Sequence, residues 1–362
     1  MKTKIKGDYV VADADAIPAL YETGYFGRPR DGKLYLRLTE AAYLLFKNKI
    51  TVLNDKKEMQ FNDFFEYAAL KEDFFELKYI VYKDLKERGY YVQSSATDFR
   101  IYPRGGHPGK TAAKSFVYVR SERIPISFSE LVSQINNAQN VRKQLIMAIV
   151  DEESDITFYD VKRTDAAGKF EGDMTEPFPS EISNISAGLP LKAVLFKERV
   201  MLDNREAADI LYKKAFFGKM MDDERLLFSL PEAAYLAEKG VLSLYDMEEK
   251  TLSFEEFAGK AAEIDSEFEK KYTVYKELKD RGFVPKTGFK FGTHFRVYRK
   301  IESLNKIPHS EFLLHVISPD YEFKLPATSG AIRLANSVRK RMIYAADISA
   351  RREYIEFERI KM

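Results

Sequence analysis

Three side chains in the last third of the sequence have the types and spacing that acid–base chemistry requires. Tyr298 ends the segment FRVY, His309 follows eleven residues later in PHSEFLLHV, and Lys340 lies in SVRK. Histidine titrates near neutral pH, so it can act as a general acid or base. Lysine carries a compact positive charge that can stabilise developing negative charge. Tyrosine is a weak base at its usual pKa of about 10, so it would need positive charge nearby.

This combination meets the needs of RNA cleavage without a metal ion. The reaction requires a base for the ribose 2′-OH, an acid for the departing 5′-oxygen and a cation beside the pentacoordinate phosphorus. The segment KTGFKFGTHFRVYRK, residues 286–300, has five Lys or Arg residues, no acidic residue and interleaved aromatic residues. Such a mixture suits phosphate contacts and base stacking. The cations nearest to Tyr298 in the sequence are Arg296, Arg299 and Lys300.

The elements that must position these residues occur twice in the chain. The offset between the copies drifts only from about 191 to about 197, so one unit of roughly 170 residues is duplicated, unlike the short repeats of a solenoid. The matching pairs of segments are 24–45 with 215–237, 78–95 with 271–288, 99–120 with 295–316, and 140–150 with 337–347.

Each copy predicts a small α+β module followed by a mixed β-sheet flanked by helices, which gives a mixed α/β fold overall. The second module opens with an amphipathic helix that ends in Lys or Arg and then Gly. Two strands, a helix and a strand pair follow. We predict an N-terminal repeat at 1–165 with subdomains 1–72 and 73–165, a linker at 166–190, and a C-terminal repeat at 191–362 with subdomains 191–265 and 266–362.

The copies differ at two places that bear on function. The four histidines are His107, His294, His309 and His315, and only His309 follows a proline directly before a predicted strand. Aligned by sequence, the first copy offers Tyr102, Lys114 and Lys143 instead, which predicts that it is structural. The first copy alone carries the acidic run DEESD, with Asp151, Glu152, Glu153 and Asp155, and such a run can dock into a basic groove.

Composition excludes several classes of protein. The 362 residues carry a net charge of only +2, so a uniformly basic surface for nucleic acid is excluded while a local basic patch is not. The chain has no cysteine, which excludes disulfides and zinc–thiolate sites and favours the cytosol. No run approaches eighteen apolar residues and the start lacks a signal-peptide pattern, so we expect a cytoplasmic protein without a membrane span.

The chain resembles the archaeal tRNA-splicing endonucleases of the two-repeat, homodimeric type. The resemblance rests on YKELKDRGFVPKTGFKFGTHFRVY, PHSEFLLHV and RLANSVRK, which occur in this order and at the family's spacing. It also rests on YKDLKERGYYV and VRKQLIMAIVDEESDITFYDV in the first copy, so it extends over nearly the whole chain.

This resemblance implies a tRNA-intron endonuclease that cuts precursor tRNA at both splice sites of a bulge–helix–bulge. The products would carry a 2′,3′-cyclic phosphate and a 5′-hydroxyl, and neither a metal nor another cofactor would be needed. Tyr298 would be the general base, His309 the general acid and Lys340 the transition-state stabiliser. Arg333 and Arg359 would clamp a flipped bulge base, and the acidic run at 151–155 would be the dimer-docking loop.

Two other classes remain open at the level of the sequence. A non-catalytic RNA-binding or structural subunit would suit the first copy, whereas the three reactive residues of the second copy argue against it. A metal-dependent DNA nuclease would need a cluster of Asp and Glu near a lysine, and PHSEFLLHV with SVRK offers none. Cleavage of RNA in the presence of a chelator separates these classes.

Overall fold

The computed structural model describes residues 1–55, 57–95, 97–164, 189–299, 309–348 and 351–362. Most of the predicted linker therefore lies outside the described residues, and the domain boundaries stay a prediction. Backbone contacts divide the chain into two compact units. The first comprises Met1–Arg163, Asp320–Arg333 and Phe357–Met362, and the second Thr164–Pro319 and Leu334–Glu356. No helix within the described ranges is long and apolar enough to cross a membrane.

The first unit opens with a six-stranded sheet in the order β3-β4-β2-β1-β5-β6, in which only β1 and β5 pair in parallel. Alternation in KLYLR buries Leu34 and Leu36 on one face and leaves the charged residues outside. The elements are β1 (Lys2–Lys6), β2 (Tyr9–Ala12), a π-helical turn (Ile17–Glu22), β3 (Arg28–Arg30), β4 (Lys33–Arg37), α1 (Leu38–Phe46), β5 (Thr51–Asn54), β6 (Lys57–Met59) and α2 (Phe61–Ala69).

A second sheet of the first unit has the order β12-β11-β9-β8-β7. Its central strands β9 and β11 are parallel and the remaining neighbours are antiparallel, so the sheet is mixed. The elements are α3 (Phe75–Glu87), β7 (Val92–Ser94), β8 (Phe99–Ile101), β9 (Ser115–Ser121), β10 (Ile126–Ser127), α4 (Phe128–Gln139), β11 (Gln144–Val150) and β12 (Ile156–Arg163).

The second unit repeats the six-stranded sheet in the order β15-β16-β14-β13-β17-β18. A regular helix, α5, stands where the first copy has its π-helical turn, and Asn204 caps it by accepting the amide of Ala207 at 3.0 Å. The elements are β13 (Leu191–Leu195), β14 (Val200–Asp203), α5 (Arg205–Lys213), β15 (Lys219–Met220), β16 (Arg225–Phe228), α6 (Leu230–Glu238), β17 (Leu242–Tyr245), β18 (Thr251–Leu252) and α7 (Phe254–Ile264).

The second mixed sheet has the order β19-β20-β21-β23-β24, with β21 and β23 parallel. The tandem duplication and the mixed sheets predicted from the sequence are thus confirmed. The elements are α8 (Phe268–Asp280), β19 (Val284–Thr287), a 3₁₀ turn (Phe289–Phe291), β20 (Phe295–Tyr298), β21 (Phe312–Val316), β22 (Glu322–Phe323), α9 (Leu325–Ser337), β23 (Arg341–Ile348) and β24 (Arg351–Ile360). Within the first unit, β22 pairs with β10.

A buried glutamate fixes the start of the matching helices α1 and α6. Glu40 accepts the amides of Gly27 and Arg37 at 3.0 and 2.9 Å, and Glu232 accepts those of Gly218 and Ser229, both at 3.0 Å. Each carboxylate therefore satisfies an unpaired amide at the helix start and one in the preceding strand connection.

The two carboxyl groups nevertheless differ in electrostatics. Burial raises the pKa of Glu40, because its amide partners offset the loss of hydration only in part. Burial opposes ionisation of Glu232 too, but the charge and hydrogen bond of Lys286 at 2.8 Å outweigh it and lower the pKa. The charged form is therefore favoured at Glu232 and disfavoured at Glu40.

We expect Glu232→Gln to reduce the free energy of unfolding by at least about 1 kcal/mol more than Glu40→Gln. Both substitutions weaken the same kind of helix cap, but Glu232→Gln also breaks the 2.8 Å ion pair with Lys286, whereas the charge of Lys86 acts on Glu40 without an ion pair in the described ranges. Urea unfolding of the two variants at pH 7 measures the difference. Equal losses would mean that the ion pair contributes nothing to stability.

Candidate active site

Three neighbouring strands of the second unit meet at one edge of their sheet. The amide of Glu311 donates to the carbonyl of Val297 at 3.0 Å, and the amide of Arg341 donates to the carbonyl of Glu311 at 3.1 Å. The strands β20, β21 and β23 are therefore aligned at the end of β20 and the starts of β21 and β23. Of the predicted catalytic residues, Tyr298 directly follows Val297, Lys340 directly precedes Arg341, and His309 lies two residues before Glu311.

Tyr298 is the last residue of β20 and is only 6% exposed. It pairs with Val284 across the sheet and packs with Phe216. The guanidinium of Arg296 lies 5.7 Å from the centre of its ring, within the range of a cation–π contact. The ring is thus held in place from several sides, as a reactive group must be.

Lys340 is 7% exposed, and its ammonium donates to the backbone carbonyl of Ser310 at 2.8 Å. The same ammonium lies 5.9 Å from the ring of Phe291. Burial, followed by the positive charge of Arg296, lowers the pKa of Lys340. The hydrogen bond ties Lys340 to the residue that follows His309 in the chain.

His309 is exposed and precedes β21. Its imidazole makes no hydrogen bond to another residue in the described ranges. Lys300, a third candidate cation near Tyr298, lies outside the described residues.

The hydroxyl of the matching tyrosine in the first copy, Tyr102, is already hydrogen-bonded. The Tyr102 hydroxyl donates to Oε1 of Gln93 at 2.8 Å, and Arg100 donates to the same oxygen at 2.8 Å. In the second copy Lys286 replaces Gln93 and turns to Glu232 instead. The Tyr298 hydroxyl is left without a hydrogen bond to any other described residue. The replacement of Gln93 by Lys286 was not among the predictions from the sequence, although aligning the two copies residue by residue reveals it.

The sequence alignment of Lys114 with His309 is wrong. The amide of Lys114 donates to the carbonyl of Ile101 at 2.8 Å, as that of Glu311 does to Val297, so Lys114 matches Glu311. Two residues before these matched positions, Ala112 in the first copy corresponds to His309 in the second. Twelve residues separate Ile101 from Lys114 and thirteen separate Val297 from Glu311, and this difference of one residue misled the alignment. The first copy therefore has neither an imidazole nor an amine at the position of His309.

The predicted RNA-binding arginines occupy different surroundings. Arg296 is half-buried, and its Nε atom is shielded from solvent without a hydrogen-bond partner among the described residues. Arg299 is exposed and forms an ion pair with Glu311. Arg333 is exposed on α9 and Arg359 is exposed on β24, and both belong to the first unit.

The acidic run of the first copy forms an exposed turn between β11 and β12. Oδ1 of Asp151 accepts the amides of Glu153 and Asp155 at 3.0 and 2.9 Å, and Glu152 pairs with Arg123 at 2.6 Å. The carboxylates that project without such internal roles are therefore those of Glu153 and Asp155.

The two remaining histidines of the second copy have structural surroundings. Nδ1 of His294 accepts the amide of Val316 at 3.1 Å, Nε2 lies 3.2 Å from Glu267, and the ring stacks on His315 at 4.2 Å. Burial, with the positive charge of His315, lowers the pKa of His294 to about 4. In the first copy a carboxylate oxygen of Asp98 accepts the matching amide, that of Val119, at 2.7 Å. The side chain at this position therefore provides a hydrogen-bond acceptor for a strand amide in both copies.

Comparison with known proteins assigns all four modules. A family model described as the tRNA intron endonuclease N-terminal domain matches residues 1–65 and 191–258, and the catalytic C-terminal domain of the same family matches 75–158 and 268–352. A tRNA-splicing endonuclease of Methanosarcina mazei is 53% identical over 100% of this chain and 99% of its own. Those of Methanosarcina acetivorans and Haloarcula marismortui are 52% and 31% identical, over 100% and 99% of each chain.

We expect the Lys340 ammonium to lose its proton below the usual lysine pKa of about 10.4. A lowered pKa means that the positive charge disappears earlier as the pH rises. NMR titration of isotopically labelled lysines, with Lys340→Arg to assign the signal, measures the midpoint. Arg296→Gln should raise the midpoint, whereas the control Arg299→Gln should not. An unchanged midpoint in Arg296→Gln would mean that the charge of Arg296 does not lower the pKa of Lys340.

Proposed function

The chain belongs to the tRNA intron endonuclease family, and from this premise we propose that it cuts precursor tRNA at both splice sites of a bulge–helix–bulge. The products carry a 2′,3′-cyclic phosphate and a 5′-hydroxyl. The observation that supports this most is the alignment of β20, β21 and β23, because Tyr298 and Lys340 adjoin hydrogen-bonded residues and His309 lies two residues before Glu311.

In the proposed mechanism Tyr298 acts in its deprotonated, phenolate form and takes the proton of the ribose 2′-hydroxyl beside the cut, which returns it to the neutral phenol. The 2′-oxygen then forms a bond to phosphorus, and the bond from phosphorus to the 5′-oxygen breaks. His309 donates its proton to that departing oxygen. Lys340 stabilises the extra negative charge on the phosphoryl oxygens in the transition state. These groups supply every proton and charge that the step requires, so the mechanism includes no metal ion.

The ionisation of Lys340 limits this mechanism at high pH. The stabilising charge is lost when the amine deprotonates, and the lowered pKa of Lys340 moves that loss to a lower pH. The first copy serves as a scaffold in this proposal, because its tyrosine bonds to Gln93 and Ala112 stands where the acid would be.

We further propose that two copies of the chain act together as a two-fold dimer, since one active site per copy suits a substrate with two cleavage points. The acidic turn at 151–155 is the proposed docking element, and Arg333 and Arg359 are the proposed clamp for a flipped bulge base. Their exposure in the first unit leaves both arginines accessible to RNA.

We expect His309→Ala to slow cleavage of a bulge–helix–bulge RNA at least about a hundredfold, the usual effect of losing a general acid. The assay is run in EDTA, and gel analysis of end-labelled RNA gives the rate. The control is His107→Ala, because His107 stacks on Tyr25 at 4.8 Å in the first copy and should be nearly neutral. Near-full activity of His309→Ala would refute the assigned role. Loss of wild-type activity in EDTA would favour a metal-dependent nuclease, and absence of cleavage under all conditions would favour a binding subunit.

We expect Glu153→Lys with Asp155→Lys to weaken the dimer, because both changes reverse charges that project from the docking turn. Sedimentation velocity measures the mass, and an unchanged mass would reject the docking model. Both substitutions leave Asp151, which shapes the turn, in place.

A turn of the same construction in the second copy supplies the control. Oδ1 of Asp246 accepts the amides of Glu248 and Lys250, both at 3.0 Å, just as Asp151 accepts those of Glu153 and Asp155. Glu248→Lys therefore changes the charge of an identical backbone turn outside the proposed interface and should leave the mass unchanged.

A further inference from the structure

A cavity of about 730 Å³ lies inside the second unit, between its six-stranded sheet and the hairpin β19–β20. Its size falls within the range of about 300–1,000 Å³ that is typical of small-ligand pockets. Tyr298 and Arg296 form part of its wall, whereas His309 and Lys340 do not. The cavity thus adjoins the proposed general base and not the proposed acid.

The charges around the cavity favour an anion. Both of its acidic wall residues are already paired, Glu232 with Lys286 and Asp265 with Lys271, each at 2.8 Å. The other cations in the wall are Arg199, Lys219 and Arg296. The buried Nε of Arg296 has no hydrogen-bond partner in the described part of the chain. A buried donor without a partner is costly, so a bound phosphate oxygen would satisfy it.

An aromatic side chain also lines the cavity in an unusual setting. Phe289 is 87% exposed although it sits on an ordered 3₁₀ turn, in which Phe291 donates to Gly288 at 2.8 Å and Gly292 donates to Phe289 at 3.0 Å. Gly292 has a φ of 65°, which favours glycine and closes the turn. An exposed ring on a rigid support is the arrangement that proteins use to stack a nucleic-acid base.

The turn is an addition of the second copy. The connection between β19 and β20 runs through seven residues, 288–294, whereas the matching connection in the first copy runs through four, 95–98. The first copy has a cavity of about 330 Å³ beside Arg100, whose guanidinium already bonds Gln93. The copy that holds the proposed active site therefore also has the larger of these two cavities and the exposed ring of Phe289. It also has the Nε atom of Arg296 that lacks a hydrogen-bond partner among the described residues.

We propose that this cavity binds the nucleotide that carries the attacking 2′-hydroxyl, with its base stacked on Phe289 and a phosphate oxygen bonded to Arg296. The side of the cut follows from Tyr298, since the residue that deprotonates the 2′-hydroxyl must contact the nucleotide on the 5′ side of the scissile phosphate. The inference rests on the proposed function of Tyr298 and adds a subsite to it.

The test uses a bulge–helix–bulge RNA with 2′-deoxyribose at the attacked position, so that it binds but is not cut. The base at that position is 2-aminopurine, whose fluorescence reports stacking. With the full-length protein we expect its emission to change on binding. Phe289→Ala should abolish the change and raise the Kd about tenfold, as loss of one base–aromatic stack does. Phe289→Tyr should restore both values.

Two controls isolate the subsite. Phe196→Ala removes another exposed phenylalanine of the second unit that is not in the cavity wall, and it should change neither value. An abasic nucleotide at the same position should weaken wild-type binding about tenfold and Phe289→Ala binding hardly at all, because one contact cannot be lost twice.

The outcomes separate the subsite from the proposed function. If the wild-type protein cuts the ordinary RNA but Phe289→Ala leaves the emission and the Kd unchanged, the subsite is wrong and the function stands. The same holds if a probe on the 3′ side of the cut responds to Phe289→Ala and the 5′ probe does not. If the wild-type protein neither cuts nor binds these RNAs, the proposed function fails and the subsite fails with it.

Discussion

Two backbone hydrogen bonds set the geometry on which the candidate site depends, from Glu311 to Val297 and from Arg341 to Glu311. They fix the register of one antiparallel and one parallel strand pair. A shift by a single residue would turn every side chain of a strand to the opposite face, so the register is strongly specified by the buried residues on both faces. Tyr298 at the end of one strand, and His309 and Lys340 before the starts of two others, are thereby carried at the same end of the sheet.

The two copies share one fold, and a single substitution between them changes the contacts of a tyrosine, an arginine and a glutamate. Gln93 bonds both the tyrosine and the arginine of the first copy, whereas Lys286 in its place bonds Glu232. With that exchange, neither the tyrosine hydroxyl nor the buried Nε of the arginine has a hydrogen-bond partner among the residues that the structure describes. The exchange also strengthens the ionisation of the glutamate that starts α6. Polar groups at the site are thus freed while the fold gains a largely buried ion pair.

Much of this architecture could be predicted from the sequence because it repeats. The duplication, the mixed sheets and the small α+β modules follow from periodicity and from turn residues that occur in both copies, whereas the six-stranded order of those modules was not predicted. The counterpart of His309 in the first copy could not be placed, because the matching segments 102–113 and 298–310 differ by one residue and only hydrogen-bond register identifies Ala112. The cavity could not be predicted either, because its wall combines residues from segments far apart, such as Arg199, Gly218 and Phe289. The three extra residues between β19 and β20 were visible in the sequence, but their meaning depends on the exposure of Phe289.

The turns at Asp151 and Asp246 share one consequence for how such proteins diversify. In both, one side-chain oxygen of the aspartate accepts two amides and holds the chain reversal, while the side chains of Glu153 and Glu248 are exposed. The exposed residues of such a turn can therefore be substituted while the hydrogen bonds of the aspartate stay in place. The charge that such a turn presents to solvent and the hydrogen bonds that shape it therefore depend on different positions of the same five residues.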